Sequence, residues 1–151
     1  MGVHRHRNSK DRGHPPRGSA GFTLIELLIV MIILGLLAAL VAPKMFQKVG
    51  SSKQKAAKAQ IALLGTALDA YRLDIGRYPS TEEGLDALRK NPGHTGWDGP
   101  YLPKDVPPDP WGRAYLYRSP GEHGDYDLVS LGADGQDGGE GENADVNSWD
   151  N

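Results

Sequence analysis

Two groups of residues in this chain could do chemistry. The first centres on Glu26, the only charge in the apolar run 22–42. A carboxylate inside a bilayer is costly and normally marks a function or a partner. No cation lies nearby within the same helix. A cut after Gly21 would create an ammonium at Phe22, four residues before Glu26. That ammonium could neutralise Glu26 of the same chain or of a neighbouring subunit. The other reading is a Glu near the helix start that snorkels to the membrane interface. Chemistry alone leaves both open.

The second group is at the C-terminal end. Asp134, Asp137, Glu140, Glu142, Asn143 and Asp145 are set among glycines. Oxygen ligands on a flexible loop suit Ca²⁺, which takes about six to eight oxygens at roughly 2.3–2.6 Å. Counted from Asp134 to Asp145, the loop puts Gly139 in its sixth place, as an EF-hand would. Gln136 and Gly138 stand where an EF-hand wants acids or amides, and the flanks read as strand and coil, so an EF-hand is a poor match. The plain alternative is a solvated acidic tail.

The elements that must position these groups follow from pattern. The run 22–42 is long enough, at about 1.5 Å per residue, to cross one bilayer core of roughly 30 Å. An ordinary secretory signal has a shorter apolar region and a better cleavage site; here Ala39 and Ala42 are followed by Pro43. From Lys44 the pattern turns amphipathic, with Ala57, Ile61, Leu64, Leu68 and Tyr71 at steps of three and four. One long helix from about residue 23 to 74 is expected, weakest at Gly35, Pro43 and residues 50–52, and ended by Gly76. Ser80 with Glu83 forms a capping box that predicts a short helix to about Lys90, with Leu85 and Leu88 facing in. Residues 91–110 are a proline-rich loop. Strands are expected at 114–117 and 126–131, joined as a hairpin.

Composition sets the limits. The chain has 151 residues, 38% of them hydrophobic, and much of that fraction lies in the apolar run. The rest can bury only a small core, which usually needs a staple. There is no cysteine, so a disulfide is excluded and a metal or self-assembly becomes a candidate. Residues 1–21 hold five basic side chains against Asp11, a net +4, which leaves −6 of the total −2 for the remainder. A basic head before an apolar span and an acidic body after it predicts a cytoplasmic N-terminus and an exported body. No basic face outweighs the acids after residue 21, which argues against nucleic acid as a partner.

Gly21-Phe22-Thr23-Leu24-Ile25-Glu26 followed by the apolar run resembles the type III signal of the type IV pilin and pseudopilin superfamily. The resemblance implies cleavage by a prepilin peptidase after Gly21 and N-methylation of Phe22. It implies that Glu26 guides subunit addition, and that the helix loosens near Gly35 and Pro43 in a filament. Ala20 departs from the pattern, since a basic residue often precedes the Gly, and the leader is long. The segments 71–88, 101–115, 130–135 and 144–149 resemble the major pseudopilins of type II secretion systems. Adhesive type IV pilins usually carry a C-terminal disulfide loop, which this chain cannot form.

That resemblance implies an α+β, type IV pilin-like fold: a long N-terminal helix packed on a small antiparallel sheet with a C-terminal calcium loop. It divides the chain into a leader (1–21), a transmembrane and filament-core helix (22–43) and a periplasmic domain (44–151). It favours Ca²⁺ bound by the side chains of Asp134 and Asp145 and by backbone carbonyls including Leu131, with Asn143 where relatives often have an acid. Asp137 and Glu140 are expected to face solvent. The implied partners are further copies in a helical filament, minor pseudopilins, the prepilin peptidase, an inner-membrane assembly platform with its ATPase, and the outer-membrane secretin of a Gram-negative envelope.

Catalytic signatures are missing from the sequence: no G-x-S-x-G, H-E-x-x-H or phosphate loop occurs. His94 and His123 fall on loops without ligand spacing. Trp97, Trp111 and Trp149 read as core or interface plugs rather than a ligand box. The expected role is a structural subunit of the filament that drives folded proteins through the secretin. The rivals are a type IV or competence pilin and, from another class, an uncleaved membrane-anchored periplasmic binding domain.

Overall fold

A computed structural model describes residues 1–2 and 21–150. Most of the expected leader, including Ala20, lies outside the described residues. The chain forms two compact units, Met1–Ala39 and Leu40–Asn151.

Helix α1 spans Leu24–Ile75 and runs without interruption through Gly35, Pro43 and Gly50. The weak points anticipated there do not break it. At one of them the Ser51 and Ser52 hydroxyls both donate to the Lys48 carbonyl, at 3.0 and 2.9 Å. Such bonds compete with the helix ladder for its acceptor. The helix ends at Gly76, whose N–H donates to the Arg72 carbonyl at 2.7 Å.

In the second unit the expected face of α1 is buried: Ala57, Ile61, Leu64, Leu68 and Tyr71, joined by Ala67. Leu85, Ala87, Leu88, Leu102, Tyr115, Leu128 and Val146 complete the core. The connection after α1 differs from expectation. The capping box forms, with the Ser80 N–H donating to Glu83 at 2.7 Å and the Glu83 N–H to the Ser80 hydroxyl at 3.2 Å. The helix it should start does not continue to Lys90. Gly84 adopts φ 61°, ψ −169°, and only a 3₁₀ turn, Leu85–Leu88, follows. Leu85 and Leu88 still face in.

The sheet has three antiparallel strands in the order β1 (Leu116–Arg118), β2 (Asp127–Ser130), β3 (Val146–Asn147). The hairpin pairs Leu116 with Val129 and Arg118 with Asp127. Both of its strands are shorter than predicted. Leu131 cannot extend β2, because its carbonyl takes the Gly135 N–H at 3.2 Å and the chain turns away. Residue 114 is thereby left without a strand opposite. The third strand, pairing Val146 with Ser130, was not predicted; two residues carry no readable period. Trp97 and Trp111 pack on the core, as plugs. Trp149 instead stacks on His123, with ring centroids 3.8 Å apart.

Glu83 holds the start of this domain together. It accepts two bonds from Arg77, both at 2.8 Å, and lies 2.6 Å from Nε2 of His94. The Arg77 guanidinium, with the Ser80 N–H and His94, holds its carboxyl well below the usual carboxylate range. A depressed pKa stabilises the fold above the ordinary carboxylate value, and the gain is lost as pH falls below it. Glu83→Gln should therefore cost about 2 kcal/mol near neutral pH. The deficit should shrink progressively below roughly pH 4, where Glu83 takes up a proton in the unfolded chain while the folded chain still holds it ionised. Urea denaturation at a series of pH values measures this; a deficit that is the same at every pH would refute it.

Candidate functional site at the helix start and in the C-terminal loop

Gly21 and Phe22 precede α1 in non-helical backbone, and both are exposed. Next to them, Glu26 has a role the sequence reading did not assign. The Thr23 N–H donates to its carboxylate at 2.8 Å, and the Glu26 N–H donates to the Thr23 hydroxyl at 3.2 Å. This is a reciprocal capping box. The signal was available: Thr23-x-x-Glu26 has the same spacing as Ser80-x-x-Glu83. A cap satisfies an orphan helix donor and places negative charge at the positive end of the helix dipole. Glu26 therefore has a partner before any ammonium is made at Phe22.

The apolar residues that follow have none. Fifteen large apolar side chains between Phe22 and Val41 are each 50–92% exposed. α1 is long and apolar enough to cross a membrane. Burying each such side chain is worth about 1.5–3 kcal/mol, so this surface calls for lipid or neighbouring helices.

The C-terminal loop is built around tight backbone contacts. Gly132 has φ 61°, and a Cβ there would stand 2.7 Å from the Asn143 carbonyl oxygen and 2.8 Å from that of Ala144. Only glycine lets the two limbs of the loop come this close. The Ala133 N–H closes the loop onto the Glu142 carbonyl at 2.9 Å.

The candidate ligands fall as follows. Asp134 accepts the Gln136 N–H at 3.0 Å, and Asp145 accepts the Gly138 N–H at 2.8 Å through Oδ2. Oδ1 of Asp145 is buried without a hydrogen-bond partner among the described residues. Burial pushes the Asp145 carboxyl up, and so do Asp137, within hydrogen-bond reach, and the charge of Asp134. Asp137 thus stands beside Asp145 although it is exposed, rather than turning wholly to solvent. Glu140 is exposed, as expected. Asn143 presents its backbone carbonyl inward between Gly132 and Gly139.

This donor set fits a hard cation. An orphaned carboxylate oxygen among acids is costly alone and is relieved by positive charge. Among the described residues no three or more His, Cys, Asp or Glu side chains group closely enough to hold a metal. Any cation here would therefore lean on carbonyl oxygens as well as carboxylates.

Two further residues brace the loop, and the sequence reading missed both. Arg113 donates to the Gly132 carbonyl at 2.7 Å and to that of Ala133 at 3.0 Å. Asp109, buried beneath it, accepts the Arg113 N–H at 2.8 Å, the Trp111 N–H at 3.1 Å and the Ser130 hydroxyl at 2.6 Å. The short Asp109-to-Arg113 spacing hinted at a turn, but the link to residues 130–133 is long-range. Gln54 of α1 also reaches the loop.

Residues 44–149 match the family described as type II secretion system (T2SS), protein G. The chain belongs to that family. Residues 16–42 match the prokaryotic N-terminal methylation motif. Type II secretion system core protein G of Pseudomonas aeruginosa is 47% identical over 139 residues, covering 89% of this chain and 98% of that protein. The Vibrio cholerae protein of the same name is 44% identical over 137 residues, covering 88% and 93%. The crystal structure of the major pseudopilin from the type 2 secretion system of enterohaemorrhagic Escherichia coli superposes with a TM-score of 0.58. It is 34% identical and covers 71% of this chain and 95% of that one.

As a family member the chain is a pseudopilin, a structural subunit of the secretion pseudopilus and not an enzyme. The pilin, competence and binding-domain readings are not favoured. The α+β pilin-like architecture of one long helix and a small antiparallel sheet stands.

For this pseudopilin, Arg113→Met removes both donors from the Gly132 and Ala133 carbonyls. It should cost about 1.5–3 kcal/mol, the range for hydrogen bonds from a charged group. Limited proteolysis should then cut within 133–142 faster than in wild type. An unchanged cleavage rate and melting temperature would show that the brace is dispensable.

Proposed function

We propose that this pseudopilin is made as a precursor, cut by a prepilin peptidase between Gly21 and Phe22 and methylated at Phe22. The observation that carries the reading is the exposed Gly21–Phe22 segment next to a capped, wholly unburied apolar helix. A peptidase needs extended backbone, and the dipeptide lies just before the first helical turn. The basic leader keeps this end cytoplasmic in the inner membrane while the acidic domain is periplasmic. After the cut, the Phe22 ammonium lies next to the Glu26 cap. It can pair with Glu26 of its own chain or of the subunit already at the filament base.

The apolar helix then exchanges lipid for neighbouring helices, so leaving the bilayer keeps its surface dry. Repeating one heterologous contact that does not close gives a helical filament. Minor pseudopilins would begin it, and the inner-membrane platform with its ATPase would add subunits. Growth toward the outer-membrane secretin would drive folded proteins out.

The second part of the proposal is calcium. Asp134 and Asp145 side chains, with the carbonyls of Leu131 and Asn143, would hold Ca²⁺, which would neutralise the converging acids. It would tie the loop to β3 and act as the staple that a small core without disulfides requires.

Mass spectrometry of the mature chain should find N-methylated Phe22 as its first residue. An intact Met1, or a cut near Ala42, would overturn the processing scheme. Glu26→Leu should leave cleavage intact while filaments, counted by electron microscopy, fall sharply. For calcium, the melting temperature should rise clearly with Ca²⁺, and Asp134→Ala should abolish the rise. If a chelator leaves melting and protease resistance unchanged, the calcium site is wrong.

A further inference from the structure

The C-terminal loop lies on α1 in the second unit, and Gln54 of α1 hydrogen-bonds to it. The Gln54 amide nitrogen donates to the Ala144 carbonyl at 2.8 Å and lies 3.3 Å from the carbonyl oxygens of Gly141 and Glu142. Its two hydrogens are shared among three acceptors. Three carbonyls converging on one point repel each other unless a donor sits between them. Gln54 is that donor.

Its position relative to the acids is specific. Ala144 lies between Asn143 and Asp145, so the backbone that Gln54 grips carries two of the candidate calcium ligands on either side. Arg113 holds the opposite limb through Gly132 and Ala133. The loop is therefore clamped from α1 on one side and from the segment before β1 on the other. The Glu142 side chain lies over Gly50, which is buried beneath it. Gly50 has no side chain to hold the loop off. It adjoins Ser51 and Ser52, whose hydroxyls compete for the Lys48 carbonyl. The loop is seated where two hydroxyls compete with the helix ladder.

We propose that Gln54 is a positioning residue for the calcium site, coupling cation binding in the loop to the integrity of α1 at residues 50–54. The inference rests on the calcium reading above. Gln54 sets the direction of the 141–144 backbone and so presents the Asn143 carbonyl and the Asp145 carboxylate inward. Coupling of this kind is reciprocal: docking on α1 raises cation affinity, and bound cation tightens the docking. Residues behind metal ligands typically change affinity by about 10–100-fold when removed.

The full chain in detergent micelles provides the test. Gln54→Met keeps length and removes the donor. Calorimetric titration should show the Kd for Ca²⁺ rising about tenfold or more. The melting gain produced by Ca²⁺ should shrink beyond any loss seen in chelator. In the wild-type chain, Ca²⁺ should slow amide hydrogen exchange at residues 50–54, a readout that does not depend on the variant folding. An unchanged Kd, with melting lowered equally in chelator and in Ca²⁺, would make Gln54 a structural brace only and overturn the proposal. So would exchange at 50–54 that does not respond to saturating Ca²⁺. Absence of any Ca²⁺ binding by the wild type is a different failure: it removes the calcium reading first, and this inference with it.

Discussion

Ala57, Ile61, Leu64, Ala67, Leu68 and Tyr71 form one buried stripe of α1 and supply six of the thirteen buried apolar core residues among the described residues. Everything in the second unit is laid against that stripe: the 3₁₀ turn through Leu85 and Leu88, the hairpin through Tyr115 and Leu128, and β3 through Val146. Because one stripe supplies nearly half the core, the sheet can be as small as three strands of three, four and two residues. A sheet of that size would be marginal without the helix beneath it.

So little regular structure leaves many backbone groups to be satisfied by side chains. Four acids do this at defined joints. Glu83 with Arg77 and Ser80 secures the chain as it leaves α1. Asp109 secures the turn before β1 and ties it to Ser130 of β2. Asp127 accepts the Glu122 and His123 N–H groups and so closes the hairpin. Asp145 accepts the Gly138 N–H, yet keeps one buried oxygen without a partner. The first three are complete hydrogen-bonding sites. The fourth is incomplete, which is why the proposed cation site lies in the C-terminal loop rather than at the hairpin.

The apolar start of α1 obeys a different constraint. Its side chains are exposed along the run that precedes the buried stripe, so its stability as a helix comes from backbone bonding and its cap. The Thr23–Glu26 cap gives the acid of the motif a structural use independent of assembly. In hydrocarbon the cap matters more, since an unsatisfied backbone donor there costs several kcal/mol. An acid that caps its own helix, and would stand four residues from a new ammonium if the proposed cut is made, could change partners without crossing lipid as an unpaired charge.

The sequence by itself determined what depends on neighbours along the chain. The period of three and four from Ala57 to Tyr71 located the buried stripe, and Gly76 located the helix end. Residues 21–26 named the superfamily, and the acids from 134 to 145 marked the loop. Even the Glu26 cap was written in a four-residue spacing, though it was not read there. Tertiary structure alone decided the rest. β3 is two residues long and exists only because β2 offers it an edge. Gly84 halts the helix that Ser80 and Glu83 begin. Arg113 and Gln54 look like ordinary surface residues until the fold brings them within 3 Å of carbonyls on the C-terminal loop. Local periodicity follows from backbone geometry and shows in the sequence. Which distant carbonyl a side chain will meet follows from how the whole chain closes, and nothing in the local sequence encodes it.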